Sequence, residues 1–256
     1  MRRMTTGSLF VTAVFLVGLV FSASAYDWKI AEIGGPDSER GPYEGGTVEF
    51  TDNGFIITAK GGDIWGGNIG ATLVYVDGVV GDFTIEYTVV EHTGDPPTTW
   101  TKVGVMVAQD TQPDTPYVFL ASMPSNDPVA LNDKGCKLVT RPERGGSAGP
   151  GSNGFAPLSW PVRYRLVREG DLFTASLSFD EGATWQSIAD PADGKEDHTT
   201  LAFTDPVVLG IAINGHNGGQ TTGRAVIADV VIDGGGIATA VEPAGKAATT
   251  WGELKR

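Results

Sequence analysis

Apolar and polar residues alternate with a period of two along most of the chain. Runs of this kind occupy 28–33, 47–51, 55–60, 71–76, 83–90, 100–108 and 117–123, then 137–140, 162–168, 172–179, 184–188, 207–213 and 224–232. Successive side chains of a β-strand point to opposite faces, so each run predicts a strand with at least one buried face. Turn signals divide the runs: Asp52-Asn53-Gly54, Val80-Gly81-Asp82, Glu169-Gly170-Asp171 and Asp180-Glu181-Gly182. Before the C-terminus no stretch carries the 3.6-residue period of an amphipathic helix. The pattern predicts an all-β protein, an antiparallel sandwich of about a dozen strands.

The alternation also assigns faces. In 100–108, Val103, Val105 and Val107 share one face, and Trp100, Lys102, Gly104 and Met106 share the other. A strand whose second face holds Trp and Lys meets two different environments. In 83–90, Phe83, Ile85, Tyr87 and Val89 oppose Thr84, Glu86 and Thr88, giving a core side and a polar side on which a ligand can lie. Residues 142–159 and 190–200 read as loops, the first rich in Gly and Ser, the second acidic.

The ends read differently from the middle. Arg2 and Arg3 precede an apolar run, 9–21, that closes in Ser22-Ala23-Ser24-Ala25, the form of a secretory signal peptide over residues 1–25, with an uncleaved membrane anchor as the alternative. The sandwich is then expected over 26–236 in a mature chain that is secreted, extracellular or periplasmic, and not inserted in a membrane. Residues 237–256 form a tail, in which Thr250-Trp251-Gly252-Glu253 has the spacing of a capping box. A short helix, an unstructured tail and a sorting or anchoring signal are all open readings of that segment.

Charge narrows the partners. The full chain carries −13, and without the leader 16 basic side chains face 31 acidic ones, or −15. Such a surface excludes nucleic acid and anionic membranes as natural partners. It leaves carbohydrate or an extracellular protein, and it offers carboxylates to a cation such as calcium. Cys136 stands alone and cannot form an internal disulfide, so stability must come from a large core.

The segment from Ser178 to Trp185 has the spacing S-x-D-x-G-x-T-W. Its Asp can accept bonds from backbone N–H groups, and Gly182 can take positive φ, which together brace a β-hairpin. The pattern matches the Asp-box of sialidase propeller blades and other secreted β proteins. A propeller sialidase carries several boxes, whereas this chain has one, so the motif predicts a braced hairpin and Trp185 is read as structural.

Other segments follow in order: Gly62-Asp63-Ile64-Trp65-Gly66, Gly81-Asp82-Phe83-Thr84-Ile85 and Trp100-Thr101-Lys102-Val103-Gly104-Val105-Met106. After them come Val162-Arg163-Tyr164-Arg165-Leu166-Val167-Arg168, Leu172-Phe173-Thr174-Ala175, and Gly210-Ile211-Ala212-Ile213-Asn214-Gly215-His216-Asn217. As a set they resemble the concanavalin A-like lectin/glucanase superfamily, in particular its bacterial secreted domains of the DUF1349 or "regulation of enolase protein 1" type. The resemblance covers roughly 30–232. It implies a two-sheet jelly roll with a curved inner face, often appended to secreted carbohydrate-active enzymes. By the same analogy Asp63, Asp77, Asp82 and Asp229 become calcium candidates. Relatives tend to have Trp-Ala-Lys-Ala-Gly where this chain has Trp100-Thr101-Lys102-Val103-Gly104, and the insert 94–99 and the loop 142–159 can reshape a binding face.

Catalytic patterns are missing. Glucanases of the superfamily need two carboxylates across the scissile bond, in an E-x-D-x-x-E type run, and no such run occurs. Glu86 and Glu91, five apart, are expected on opposite faces of a regular strand. No G-x-S-x-G occurs on a strand–helix turn, and no H-E-x-x-H pair is present. The candidate ligand-binding residues are therefore Asp63, Trp65, Trp100, Lys102, Arg141, His216 and Asn217, aromatic faces beside hydrogen-bonding groups. For Asp63 and Trp65 the competing reading is a braced sheet edge, and for His216 and Asn217 a structural turn. Arg141, with Arg163 and Arg165, either lines the same concavity or extends along a sheet edge. The expected function is non-catalytic carbohydrate binding, with a structural or adhesive extracellular module and a glucanase-type hydrolase as alternatives.

Overall fold

The computed structural model describes residues 26–98, 100–124, 135–149, 153–154, 159–189, 196–216 and 219–237. The leader, the capping-box tail and Asn217 lie outside them. Two antiparallel sheets make up the molecule, an all-β jelly-roll sandwich. In order across it, the first sheet holds β1 (Lys29–Ile33), β4 (Ala71–Val79), β14 (Val207–Asn214), β6 (Lys102–Ala108), β7 (Tyr117–Ser122), β8 (Cys136–Arg141) and β9 (Asn153–Gly154). The second runs β12 (Gln186–Ser187), β11 (Leu172–Ser178), β10 (Val162–Glu169), β5 (Phe83–Asp95), β15 (Thr222–Gly234), β3 (Gly54–Lys60) and β2 (Val48–Thr51), with β13 (His198–Thr200) paired to β11. No helix among the described residues is long and apolar enough to cross a membrane.

The core lies between the sheets. Val103, Val105 and Val107 of β6, with Leu209, Ile211 and Ile213 of β14, meet Phe55, Ile85, Tyr87, Tyr164, Leu166 and Phe173 of the second sheet. Burying a side chain of this size contributes about 1.5–3 kcal/mol, so a core this large needs no disulfide. Cys136 is itself buried in it.

The other face of the first sheet is covered as well. Met106, Ala108, Tyr117, Phe119 and Val139 pack beneath Ile64 and Ile69, which belong to the connection between β3 and β4. Every residue of β6, β7 and β14 is consequently buried. That layer of loops is where the second face of β6, the one bearing Lys102, acquires its surroundings.

Two corrections concern β5. The strand continues to Asp95, well past the run that ends at Val90. The extension was hidden by a bulge: against β15 the register jumps from Val89↔Ile227 to Glu91↔Val226, leaving Val90 as the extra residue. The bulge inverts the alternation, so Val89 and His92 point inward while Glu86 and Glu91 both point outward. The expectation that the two glutamates occupy opposite faces is thus overturned. Each is met by arginine: Glu86 by Arg163 and Arg165, Glu91 by Arg224.

The single Asp-box forms the β11–β12 hairpin. Thr184 N–H donates to Asp180 Oδ1 at 2.8 Å and Thr184 Oγ1 to Oδ2 at 2.6 Å, while Gly182 N–H donates to Ser178 Oγ at 2.8 Å. The Thr184 hydroxyl foremost, then its N–H and the Ser178 hydroxyl, hold the Asp180 carboxyl down at about 2. Glu181 and Gly182 take the positive φ values the turn requires, 59° and 92°.

Candidate functional site

The site grows from a backbone junction at one end of the sandwich. Past β3 the chain turns through Gly61 and Gly62, with φ of 71° and 64°. A Cβ on Gly61 would stand 2.0 Å from the Pro42 carbonyl oxygen, and one on Gly62 2.4 Å from that of Gly70, so only glycine fits either place. Gly61 N–H donates to Thr221 O, and its carbonyl accepts from Gly215 N–H just past β14. His216 N–H in turn donates to Gly62 O at 2.9 Å. The residue after each glycine step, Asp63 in one segment and His216 in the other, is thereby brought to the same place.

β6 supplies the third member. Lys102 shares the outward face with Met106, and its Nζ donates to Asp63 Oδ1. The pair is buried, with side-chain exposure of 5% and 4%. Asn214, the last residue of β14, locks the arrangement: its Oδ1 accepts from Lys102 N–H at 3.1 Å and its Nδ2 donates to Asp63 Oδ1 at 3.3 Å. A buried ion pair of this kind is stable only when its remaining bonding capacity is met, as it is here.

His216 completes the cluster. Its Nε2 lies 3.5 Å from Asp63 Oδ2, and its ring stacks on Trp100 with centroids 5.8 Å apart and planes 22° from parallel. Its backbone adopts φ of 65°, uncommon for a non-glycine residue and imposed here by the junction. Burial pulls its pKa down to about 4; Asp63 opposes the shift, while Lys102 and Arg40 reinforce it. At neutral pH the ring is uncharged.

These groups line a cleft of about 440 Å³ formed by Arg40, Asp63, Trp65, Trp100, Lys102, Lys137 and His216. That volume lies within the ordinary range for small-molecule sites, roughly 300–1,000 Å³. Trp100 is 42% exposed, a large aromatic surface left open beside its stack with His216. Trp65 leans its other side on the apolar cluster over the first sheet.

Five of the residues singled out in the sequence therefore share one cleft: Asp63, Trp65, Trp100, Lys102 and His216. Arg141 does not join them. It is wholly buried behind the wall, donating from Nη1 to Gly66 O at 2.9 Å, from Nε to Thr115 O at 2.8 Å and from Nη2 to Pro113 O at 2.9 Å, with its guanidinium 4.8 Å from the Tyr117 ring. It ties the loop that carries Trp65 to the loop after β6, a positioning task. Arg163 and Arg165 lie on the outer face of the second sheet, paired to Glu86. Arg40, Lys137 and Asn214 were missed as candidates. Lys137 was within reach of the alternation, since it shares a face with Val139 and Arg141.

The calcium candidates do not gather. Asp63 holds Lys102, Asp77 holds Lys29, Asp82 accepts from Gly170 N–H and Asp229 from Asn53. Among the described residues no group of three or more His, Cys, Asp or Glu side chains could hold a metal, and these four do not fit a calcium site.

Fold and cleft together define an antiparallel jelly-roll sandwich with a tryptophan-bearing, cation-rich pocket over one sheet. Among solved structures it is similar to a functionally unknown protein from Saccharomyces cerevisiae, with TM-score 0.52 and 12% identity over 84% of this chain and 98% of that one. Looser likenesses are to the carbohydrate-binding module CBM66 from Bacillus subtilis (TM-score 0.41, 15% identity, 77% and 97% covered) and the carbohydrate recognition domain of Emp47p (0.43, 12%, 82% and 89%). At these identities the shared property is the fold. No protein-family model and no curated protein sequence matches the chain.

Proposed function

We propose that this is a secreted, non-catalytic carbohydrate-binding domain of the concanavalin A-like lectin/glucanase type, of the DUF1349 kind its motifs resemble, and that the glycan sits in the cleft. The observation that carries the reading is the meeting of Trp65 and Trp100 with Asp63, Lys102 and His216 in one pocket. Sugar rings present apolar C–H faces and a rim of hydroxyls, which suits exposed indole beside a few fixed polar groups. The polar groups are fixed before any ligand arrives, because Asn214 and the Gly61–Gly62 junction hold them, so little ordering cost falls on binding.

The same lining favours binding over glycoside hydrolysis by a carboxylate pair. Glycoside hydrolysis needs two carboxyl groups flanking the bond. Among the described residues the cleft has one, Asp63, and it is already bonded to Lys102 and Asn214. Glu86 and Glu91, though on a common face, stand on the other sheet in pairs with arginine.

A glycan array probed with the full chain and with Trp100→Ala, each with calcium and with a chelator, tests the proposal. The expected result is retention on a subset of glycans, independent of calcium and lost in the variant. Retention by neither protein, with the variant folded, would remove the carbohydrate reading and leave an adhesive module in its place.

A further inference from the structure

Independently of what the cleft binds, we propose that Lys102 and Asn214 join in an intramolecular isopeptide bond, a self-formed covalent link between β6 and β14 in which Asp63 is the acid–base catalyst. The two residues face each other across the sheet, Lys102 opening β6 and Asn214 closing β14. Both touch one oxygen. Asp63 Oδ1 accepts from Lys102 Nζ and, at 3.3 Å, from Asn214 Nδ2. The amide is turned the productive way, because its Oδ1 accepts from the Lys102 backbone N–H at 3.1 Å and only Nδ2 is left to meet the carboxylate. Lys102 Nζ is steadied further by the Trp100 carbonyl at 3.4 Å. Water is kept out, since Asn214 is fully buried and the side chains of Lys102 and Asp63 are nearly so.

Each part of an amide exchange has its group in place. The Lys102 ammonium passes a proton to Asp63, so that two buried charges become an amine and a carboxylic acid. The freed Nζ lone pair attacks Cγ of Asn214, and the negative charge that develops on Oδ1 is met by the Lys102 N–H already bonded to it. Asp63 hands its proton to Nδ2, the leaving nitrogen it already touches, and takes the next one from Nζ. The Cγ–Nδ2 bond breaks, and the departing ammonia carries that second proton away as ammonium. One ammonium and one carboxamide thus become one secondary amide and one ammonium, with no co-reactant. The folded sheet supplies the proximity, and the absence of water protects the new amide from hydrolysis. In a chain with a single cysteine, such a bond takes the place of a disulfide at the end of the β6–β14 pair that carries Lys102 into the cleft.

The test is mass spectrometry of the purified full chain, intact and after denaturation and trypsin digestion. The intact mass is expected to fall short of the sequence by one ammonia, after any leader removal is accounted for. Trypsin should no longer cut after Lys102, and the digest should contain a branched peptide that joins the fragment bearing Lys102 to the fragment bearing Asn214. Asn214→Asp should give the same branch with loss of water in place of ammonia, whereas Lys102→Met and Asp63→Ala should give no branch. The decisive reading is taken on the unaltered protein, so it does not depend on any variant folding. An unbranched digest cut normally after Lys102 overturns the proposal, even if ammonia has been lost from Asn214 by ring closure onto Gly215. A link from Lys102 that ends on Asp63, with loss of water, overturns it as well.

Discussion

Two places in this molecule bring tryptophan, basic and acidic side chains together, and they have opposite characters. On the outer face of the second sheet, Glu86 accepts from Arg163 at 3.0 Å and from Arg165 at 2.8 Å, and the Arg165 guanidinium lies 3.8 Å above the Trp185 ring. Both guanidinium groups are bonded to the one carboxylate and the indole face is capped by one of them, so the cluster is closed. In the cleft over the first sheet, one carboxylate and its lysine are sealed together, and Trp100 remains 42% exposed beside them. Residue types alone do not mark a binding site. What separates the two is burial and the open indole face: the Glu86 cluster is partly solvated and its tryptophan capped, whereas the Asp63–Lys102 pair is sealed from water beside an exposed Trp100.

The sharpest way to break the comparison is to remove a carboxylate from each side. Asp63→Ala strands a buried ammonium and should lower unfolding free energy by about 3–5 kcal/mol in urea denaturation. Glu86→Ala, in the partly solvated cluster, should cost clearly less, about 1 kcal/mol. Equal losses would show that the pair in the cleft is not sealed.

Acid comes next. His216 at about 4 and His92 at about 3 both sit below the ordinary histidine value near 6.5, each mainly through burial. The unfolded chain then binds protons that the folded chain refuses. The stability these neutral rings contribute is complete above pH 6.5 and is lost as pH falls from there toward 4 and 3, roughly 2–4 kcal/mol by pH 5. His92 is enclosed in apolar surroundings with both ring nitrogens unpartnered, so His92→Leu should remove about half of that loss in melting curves taken from pH 7 to pH 5.

Smaller effects separate binding from stability. Trp100→Ala should weaken saccharide about tenfold or more, or roughly 1.4 kcal/mol, and lower stability only by about 0.5–1.5 kcal/mol, the contribution of its stack on His216. Arg165→Met should cost about 0.5–1 kcal/mol of stability through the lost stack on Trp185 while leaving saccharide affinity alone. A binding defect in Arg165→Met would place the ligand on the wrong sheet.

The sequence made most strands legible because alternation is a local property, and every run with a clear period of two contains a strand. β9 and β13 escaped because two or three residues carry no period, and both lie in segments rich in glycine or acid. The bulge at Val90 was equally silent, since no glycine or turn residue marks it and only the partner strand reveals the extra residue. For the site, the motifs around Asp63, Trp100 and His216 named the right side chains separately. Their convergence depends on backbone hydrogen bonds from Gly215 to Gly61 and from His216 to Gly62, which join distant stretches of chain. Arg141 was misplaced for a related reason: an arginine ending a strand looks ready for a ligand, and the carbonyls of Gly66, Pro113 and Thr115 that claim it come from two separate loops.

The central claim, that ligand enters between the cleft residues and nowhere on the opposite sheet, can be read from the indole N–H resonances of the tryptophans. Nuclear magnetic resonance of the full chain during titration with the best saccharide from the array should shift the signals of Trp65 and Trp100 and leave that of Trp185 in place. Movement of the Trp185 signal, with Trp65 and Trp100 still, would contradict the account.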